Sequence, residues 1–276
     1  MRLTMLAAAA LCLAAPAAAQ RPDPDSIGLA ALQQILANHG DVQDYTLVLA
    51  HGPLRMPAYV HRDGDTWKVR VPPEHPLADV LSIAVQWPVL ASEVLQEEED
   101  ATDMGEGAEY LGIETVGGRR AHVVSAGFAE SEADLPDSMR LYVDVETTQL
   151  LRLAVSAPVE PEEDGEGMPF SGDLRMRIDL SEHATRDGLT LPMRMRLHMA
   201  ADLAMSDEER TAARNQMALV RAALQGTEGE EAAQMSVMLE LFASMLERGE
   251  MEMAVQVEDL QVNSGPPAWL EETGQF

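Results

Sequence analysis

A strict two-residue periodicity constrains the fold of this chain more than any other feature. In residues 174–180 every second side chain is Leu, Met or Ile, and the residues between them are Arg or Asp. Residues 189–199 repeat the pattern of alternating apolar and polar positions. Such alternation is typical of β-strands that bury one face and solvate the other. Asp187-Gly188 lies between the two segments and supplies turn chemistry, so the pair predicts an antiparallel hairpin.

Weaker alternation of the same kind recurs along most of the chain and predicts further strands. The segments are 45–49, 57–62, 65–71, 109–116, 119–126, 139–144, 151–156 and a last strand that starts at residue 251. Asp63-Gly64 and Gly117-Gly118 mark two more hairpin turns. The apolar phase of the last strand slips at Leu260, which predicts a β-bulge.

Helical periodicity is confined to three regions. They are 27–39 after a predicted N-cap at Ser26, 76–99 with an interruption at Trp87-Pro88, and a helical insertion at 206–248. The insertion predicts a helical hairpin, 206–225 and 230–248. Because the helices are not interleaved one per strand, the predicted class is α+β: a curved antiparallel sheet, or incomplete β-barrel, covered by helices on its apolar face.

The first nineteen residues are typical of a secretory signal peptide. Arg2 precedes an apolar run, and three alanines end at Ala19, after which we expect cleavage. The run is too short for a permanent membrane helix, so we expect a periplasmic or secreted protein that is not integral to the membrane. Cys12 is the only cysteine; it lies within the run, behind Leu11, and does not indicate lipidation. Residues 20–276 are then a single domain.

The charge of the chain narrows its partners. There are 47 acidic and 19 basic residues, for a formal net charge of −28, which argues against nucleic acid and anionic membrane surfaces. Many basic residues occupy strand positions opposite the apolar ones: Lys68, Arg70, Arg140, Arg152, Arg175, Arg177, Arg194 and Arg196. They predict long side chains that shield the open face of the sheet; the alternative is a basic stripe that docks an acidic partner.

No catalytic or metal-binding motif is found in the sequence. The seven histidines lack zinc-ligand spacing and are interpreted as scattered surface residues, although His183 and His198 flank one hairpin. A nucleophile elbow, a phosphate-binding loop and a dinucleotide fingerprint are missing. Paired methionines, Met193/Met195 and Met251/Met253, suit copper(I) chemically, but their strand phase predicts core packing. We therefore expect no enzymatic activity, no cofactor and no metal.

The order of these elements resembles a known family. An N-terminal helix leads into antiparallel strands, two helical elements interrupt them, and hairpin motifs recur at 59–67, 141–147 and 187–192. In this order over residues 26–262, the chain is similar to the periplasmic lipoprotein carrier and outer-membrane lipoprotein-sorting proteins (LolA/LolB-like). The resemblance implies a half-barrel whose apolar hollow holds acyl chains.

The resemblance and the strand phase together predict a binding site for a lipid or another apolar ligand. The predicted ligand-lining residues are Trp67, Val69, Met176, Ile178, Leu191, Met193, Met195, Met253 and Val255. The methionine-rich helical hairpin is either core or a movable lid, and the predicted lid residues are Met217, Met238 and Phe242. An alternative function is an envelope scaffold or protein-interaction module, with a protein partner and a hollow filled by its own helices.

Overall fold

The computed structural model describes residues 21–72, 75, 78, 85–97, 108–127, 138–159, 172–201, 205–227 and 229–272. The predicted signal peptide lies outside these residues. The described strands are β1 (Asp44–His51), β2 (Leu54–Asp63), β3 (Thr66–Arg70), β4 (Glu109–Val116), β5 (Arg119–Gly127), β6 (Ser138–Asp144), β7 (Leu150–Val159), β8 (Gly172–Arg186), β9 (Leu189–Ala201) and β10 (Glu250–Val262). The described helices are α1 (Pro24–Ala37), α2 (Trp87–Glu97), α3 (Asp207–Leu224), α4 (Glu230–Arg248) and α5 (Ala268–Glu272).

All ten described strands form one antiparallel sheet. Their order is β3-β2-β1-β10-β9-β8-β7-β6-β5-β4, so every neighbour is consecutive in sequence except the β1–β10 pair. Strands β3 and β4 are the two edges and do not pair with each other, so the curved sheet stays open. The predicted α+β class with an incomplete barrel is confirmed.

One face of the sheet carries the core. Across five neighbouring strands, Leu141, Leu153, Ile178, Leu197 and Met253 stand opposite one another, and all five are buried. Opposed side chains on one face of a sheet are the unit that stabilises it. The alternation in the sequence thus becomes a continuous apolar surface.

The register shift expected in the last strand is present. Between Thr46 and Val48 of β1, the pairing with β10 slips by one residue. Asp259 in the bulged segment has a φ of 46°. The bulge restores the apolar phase, so that Leu260 is buried like Val257 before it.

Helices α1 and α2 pack against each other at one side of the sheet. Helix α1 begins at Pro24, because the Asp23 carboxylate caps it by accepting a hydrogen bond from the Ser26 amide at 3.3 Å. The predicted N-cap at Ser26 is therefore wrong by one turn. Pro88 lies in the first turn of α2, where proline starts a helix rather than interrupting it. Helix α1 also contacts β5 and β6, and α2 contacts β3.

The predicted helical hairpin is confirmed as α3 and α4, but only one of its helices covers the sheet. Helix α4 contacts β10 and β2 and places Val237, Met238 and Leu241 against the core. Helix α3 begins in a capping box between Ser206 and Glu209, contacts α4, and has no fully buried residue. No helix within the described residues is long and apolar enough to cross a membrane.

Candidate functional site

A small apolar cavity lies between α1, α2, β1 and the β8–β9 hairpin. Its volume is about 50 Å³, whereas small-molecule sites have volumes of roughly 300–1,000 Å³. It therefore has room for one or two molecules of the size of water. Its apolar lining consists of Ile35, Leu47, Val85, Pro88, Leu150, Leu180, Leu191, Pro192, Met195 and Val257.

The structure places the nine predicted ligand-lining residues in one core, and two of them at the cavity. Leu191 and Met195 line it. The remaining seven lie in or against the surrounding core, four fully buried and three partly buried: Trp67, Ile178, Met253, Val255, Val69, Met176 and Met193. Contact with a ligand stays a prediction for all nine. Met251 packs in the same core as Met193, Met195 and Met253, as the strand phase of the two methionine pairs indicates.

One wall of the cavity contains a buried histidine. His39 is only 2% exposed, so its interpretation as a surface residue is wrong. Its Nδ1 lies 2.7 Å from the Ile35 carbonyl and its Nε2 lies 3.2 Å from the Tyr45 hydroxyl. Its ring centroid lies 4.8 Å from that of Trp67, with the two rings tilted by 55°. Burial lowers the pKa of His39 to about 4 and raises the pKa of Tyr45. The sequence held a signal for this, because His39 continues the apolar stripe of Ala31 and Ile35 at four-residue spacing.

A second histidine, His183, lines the cavity and directly follows a strained residue. Glu182 has a φ of 55°, which β-strand residues other than glycine rarely adopt. Its carboxylate pairs with Arg194 at 2.7 Å on the outside of the sheet. His183 pairs with Pro192 in the β8–β9 ladder, and both residues line the cavity.

Two polar atoms at the cavity have no hydrogen-bond partner among the described residues. They are Nε1 of Trp87 and Nδ1 of His183, and both are buried. Burial lowers the pKa of His183, as does nearby Arg119, while Asp144 acts in the opposite direction. His183 is therefore neutral near pH 7.

The arginine beside His183, Arg119, forms an ion pair with a buried carboxylate. Arg119 Nε lies 2.9 Å from the Asp144 carboxylate, which is 4% exposed. That carboxylate also accepts hydrogen bonds from the Glu146 and Thr147 amides at 2.9 and 2.7 Å. Burial raises the pKa of Asp144, but the hydrogen bonds and Arg119 outweigh it and hold the pKa below its usual range.

The outer face of the sheet contains the arginines that the sequence placed there. Several are paired, as Arg196 is with Glu252 at 3.1 Å. A groove of about 580 Å³ crosses strands β6–β9. Arg140, Arg175 and Arg177 line it, together with Glu250 and small residues such as Ala154.

The predicted lid residues have three different environments. Met238 packs against the core, and Met217 is half-buried on α3. Phe242 is 51% exposed. No group of three or more potential metal ligands of the His, Cys, Asp or Glu type is found in the part of the chain that the structure describes.

No protein-family model and no curated protein sequence matches this chain. Its fold is similar to that of several solved structures. One is an outer membrane lipoprotein-sorting protein domain from Vibrio parahaemolyticus, with a TM-score of 0.42 and 10% identity over 92% of this chain and 99% of that one. Another is a DUF1329 family protein from Desulfovibrio piger, with a TM-score of 0.41 and 12% identity over the same shares. A LolA superfamily protein from Nitrosomonas europaea has a TM-score of 0.36 and 10% identity over 87% and 96%. An open antiparallel sheet with helices packed against it is the architecture that the LolA-like resemblance implies, and it is the one observed.

Proposed function

We propose that this chain is an exported, non-enzymatic protein that binds a lipid or another apolar ligand between the inner face of its open sheet and the helices that cover it. The observation that carries the proposal is the small apolar cavity beside a continuous apolar face. Its walls belong to helices and strands that an open sheet leaves free to separate. A closed barrel would hold its strands together by hydrogen bonds all around.

Binding an acyl chain requires the cavity to extend along the core towards α4, which does not line it, and the packing of this helix sets the cost. Val237, Met238 and Leu241 hold this helix against the core. Exposing three such side chains costs about 6 kcal/mol, at roughly 2 kcal/mol each. A chain of twelve methylenes that replaced them would regain about 10 kcal/mol, at about 0.8 kcal/mol per methylene. The exchange is favourable for a long chain and unfavourable for a short one.

A substitution of the predicted lid residues tests this exchange. We replace Met217, Met238 and Phe242 by Ser and measure two quantities: the Kd of a fluorescent fatty acid and the free energy of unfolding in urea. The proposal predicts that binding weakens more than stability. Leu219→Ser is the matched control, since Leu219 is 72% exposed on the same hairpin. Unchanged binding with strongly lowered stability would show that the helices are only core.

A second function is supported by the outer-face groove. Arg140 makes no ion pair within the described residues, and Arg177 Nε lies 3.7 Å from Asp179, beyond hydrogen-bond distance. Guanidinium groups bind carboxylates in pairs of hydrogen bonds, so the groove fits an acidic protein segment. The interaction-module alternative thus has a surface of its own.

The two functions give different results in two measurements. Mass spectrometry of organic extracts from the purified protein detects a lipid only if the hollow is a binding site. Calorimetry with a glutamate-rich peptide, on the native protein and on Arg140→Glu, detects the groove. If the peptide binds, the Arg140 substitution abolishes binding and added salt weakens it. An extract without lipid and a peptide that binds would make the interaction module the function.

A further inference from the structure

We propose that Trp87 and His183 form a polar recognition site within the cavity, which binds the carbonyl oxygen of an acyl ligand. This inference rests on the proposed lipid-binding function and deepens it. It identifies the cavity as the place where the polar head of the ligand lies, and it names the two side chains that contact this head.

The hydrogen bonds around the cavity single out these two residues. Six polar side chains line it, and four of them are satisfied within the protein. His39 bonds to the Ile35 carbonyl and to Tyr45. The other two bonded groups are Asn38, which accepts from Gln34 at 2.9 Å, and Thr190, which pairs with Thr185 at 2.8 Å. Among the described residues that line the cavity, only Trp87 Nε1 and His183 Nδ1 have no hydrogen-bond partner.

Leaving these atoms unpaired is costly. A buried polar group without a partner costs about 1–3 kcal/mol, and native proteins leave few of them. Leucine at either position would avoid the cost and suit the apolar lining. The two polar groups therefore indicate a partner that the protein itself does not supply.

The backbone adds a second, independent indication. The positive φ of Glu182 costs of the order of 1–2 kcal/mol, and this residue directly precedes His183 in the strand. Strained backbone next to a polar ring that lines an apolar cavity is typical of a binding site.

The chemistry of the two atoms defines the ligand group. Indole Nε1–H is a donor only, so its partner must be an acceptor. Neutral imidazole donates from Nδ1 in one of its tautomers, and a carbonyl oxygen has two lone pairs to accept both bonds. The apolar lining disfavours a fully ionised head group. An acyl carbonyl satisfies these conditions, whether it belongs to an ester or to a free fatty acid.

The test compares ligands that differ only in this group. The uncharged probe N-phenyl-1-naphthylamine reports on the hollow, and octane, methyl octanoate and octanoic acid displace it. The quantity measured is the ratio of the Kd of octane to that of each oxygenated ligand. The variants are Trp87→Phe, which removes the N–H and keeps an aromatic ring, and His183→Leu. Trp269→Phe is the matched control, because Trp269 lies on α5 and does not line the cavity.

We expect the native protein and the control to prefer methyl octanoate to octane, and each variant to reduce that preference by about five- to tenfold, the value of one hydrogen bond. The octanoic acid arm shows whether the site accepts a free acid as well as an ester. Ratios that stay within twofold of the native value in both variants would overturn the inference, since the two groups would then hold only water. Failure of the probe to bind the native protein would instead refute the proposed function.

Discussion

Between pH 7.5 and pH 5, the protein should lose about 2 kcal/mol of its free energy of unfolding because His39 is buried in its neutral form. Replacing His39 by Phe should abolish this part of the loss. His39 is nearly fully buried, and burial lowers its pKa from 6.5 to about 4, against the opposing effect of the Ile35 carbonyl. The unfolded chain therefore takes up a proton at this residue before the folded protein does. Stability that depends on neutral His39 is complete above pH 6.5 and is lost as the pH falls towards 4.

The size of the loss follows from the separation of the two pKa values. Each pKa unit corresponds to about 1.4 kcal/mol, so the full loss is about 3 kcal/mol, of which about 2 kcal/mol is reached at pH 5. The carboxylates that also titrate are common to both proteins and cancel in the comparison. Phe keeps the aromatic contact with Trp67 and removes the titrating ring.

Urea unfolding of the native protein and of His39→Phe, each at pH 7.5 and at pH 5, measures the difference directly. The variant loses the bonds to Ile35 and Tyr45, so its stability at pH 7.5 is lower. Its dependence on pH, however, should be weaker by about 2 kcal/mol. An NMR titration of the His39 ring gives the folded pKa independently. Equal pH dependence in the two proteins would refute the reasoning, because burial would not then set the protonation of this ring.

Three further substitutions test the packing around the site. Asp144→Asn removes the charge from a buried carboxylate with several donors and should cost about 2–3 kcal/mol in urea unfolding. Its control, Glu258→Gln, lies in an exposed ion pair and should cost less than about 1 kcal/mol. Equal costs would contradict the role of burial. Ser92→Ala removes the buried hydroxyl that accepts a hydrogen bond from an edge amide of β3 at 3.3 Å. The loss should cost about 1 kcal/mol, measured by thermal unfolding. An unchanged melting temperature would contradict this prediction. Gly249→Ala should lower the melting temperature more than Gly64→Ala. Both glycines have a positive φ, but of the two only Gly249 would place a Cβ 3.1 Å from a carbonyl of β9. Equal costs would show that the neighbouring strand moves away to accommodate the Cβ.

The local part of the fold could be predicted from the sequence because it depends on local chemistry. Alternation at 174–180 and 189–199, with Asp187-Gly188 between them, specifies a hairpin whatever surrounds it. The β1–β10 pair is different, since it joins segments some two hundred residues apart. Periodicity gives each strand a face but no partner. The same limit applies to the hairpin helices, because an apolar stripe does not show whether it meets the sheet or another helix.

The site was harder to predict because its features arise where local rules fail. His183 lines the cavity beside Glu182, whose positive φ could not be predicted from its residue type. Trp87 adjoins a proline that was expected to interrupt a helix and instead begins one. Apolar residues such as Leu191 and Met195 could be assigned to the hollow, since their phase alone places them there. The polar groups that give a site its specificity depend on packing between segments distant in sequence.

The two edges of the sheet show how an open sheet avoids aggregation. An open sheet exposes unpaired amides and carbonyls along each edge. At β3 the edge is covered by α2, where the Ser92 hydroxyl accepts a hydrogen bond from the Trp67 amide. At β4 the exposed side chains of Leu111 and Ile113 are 44% and 45% accessible, but the pairing with β5 shifts between Tyr110 and Gly112. Such a bulge twists an edge away from the flat geometry that a second chain needs. Protection by a helix at one edge and a bulge at the other leaves the inner face free to separate from its helices, which binding an acyl chain requires.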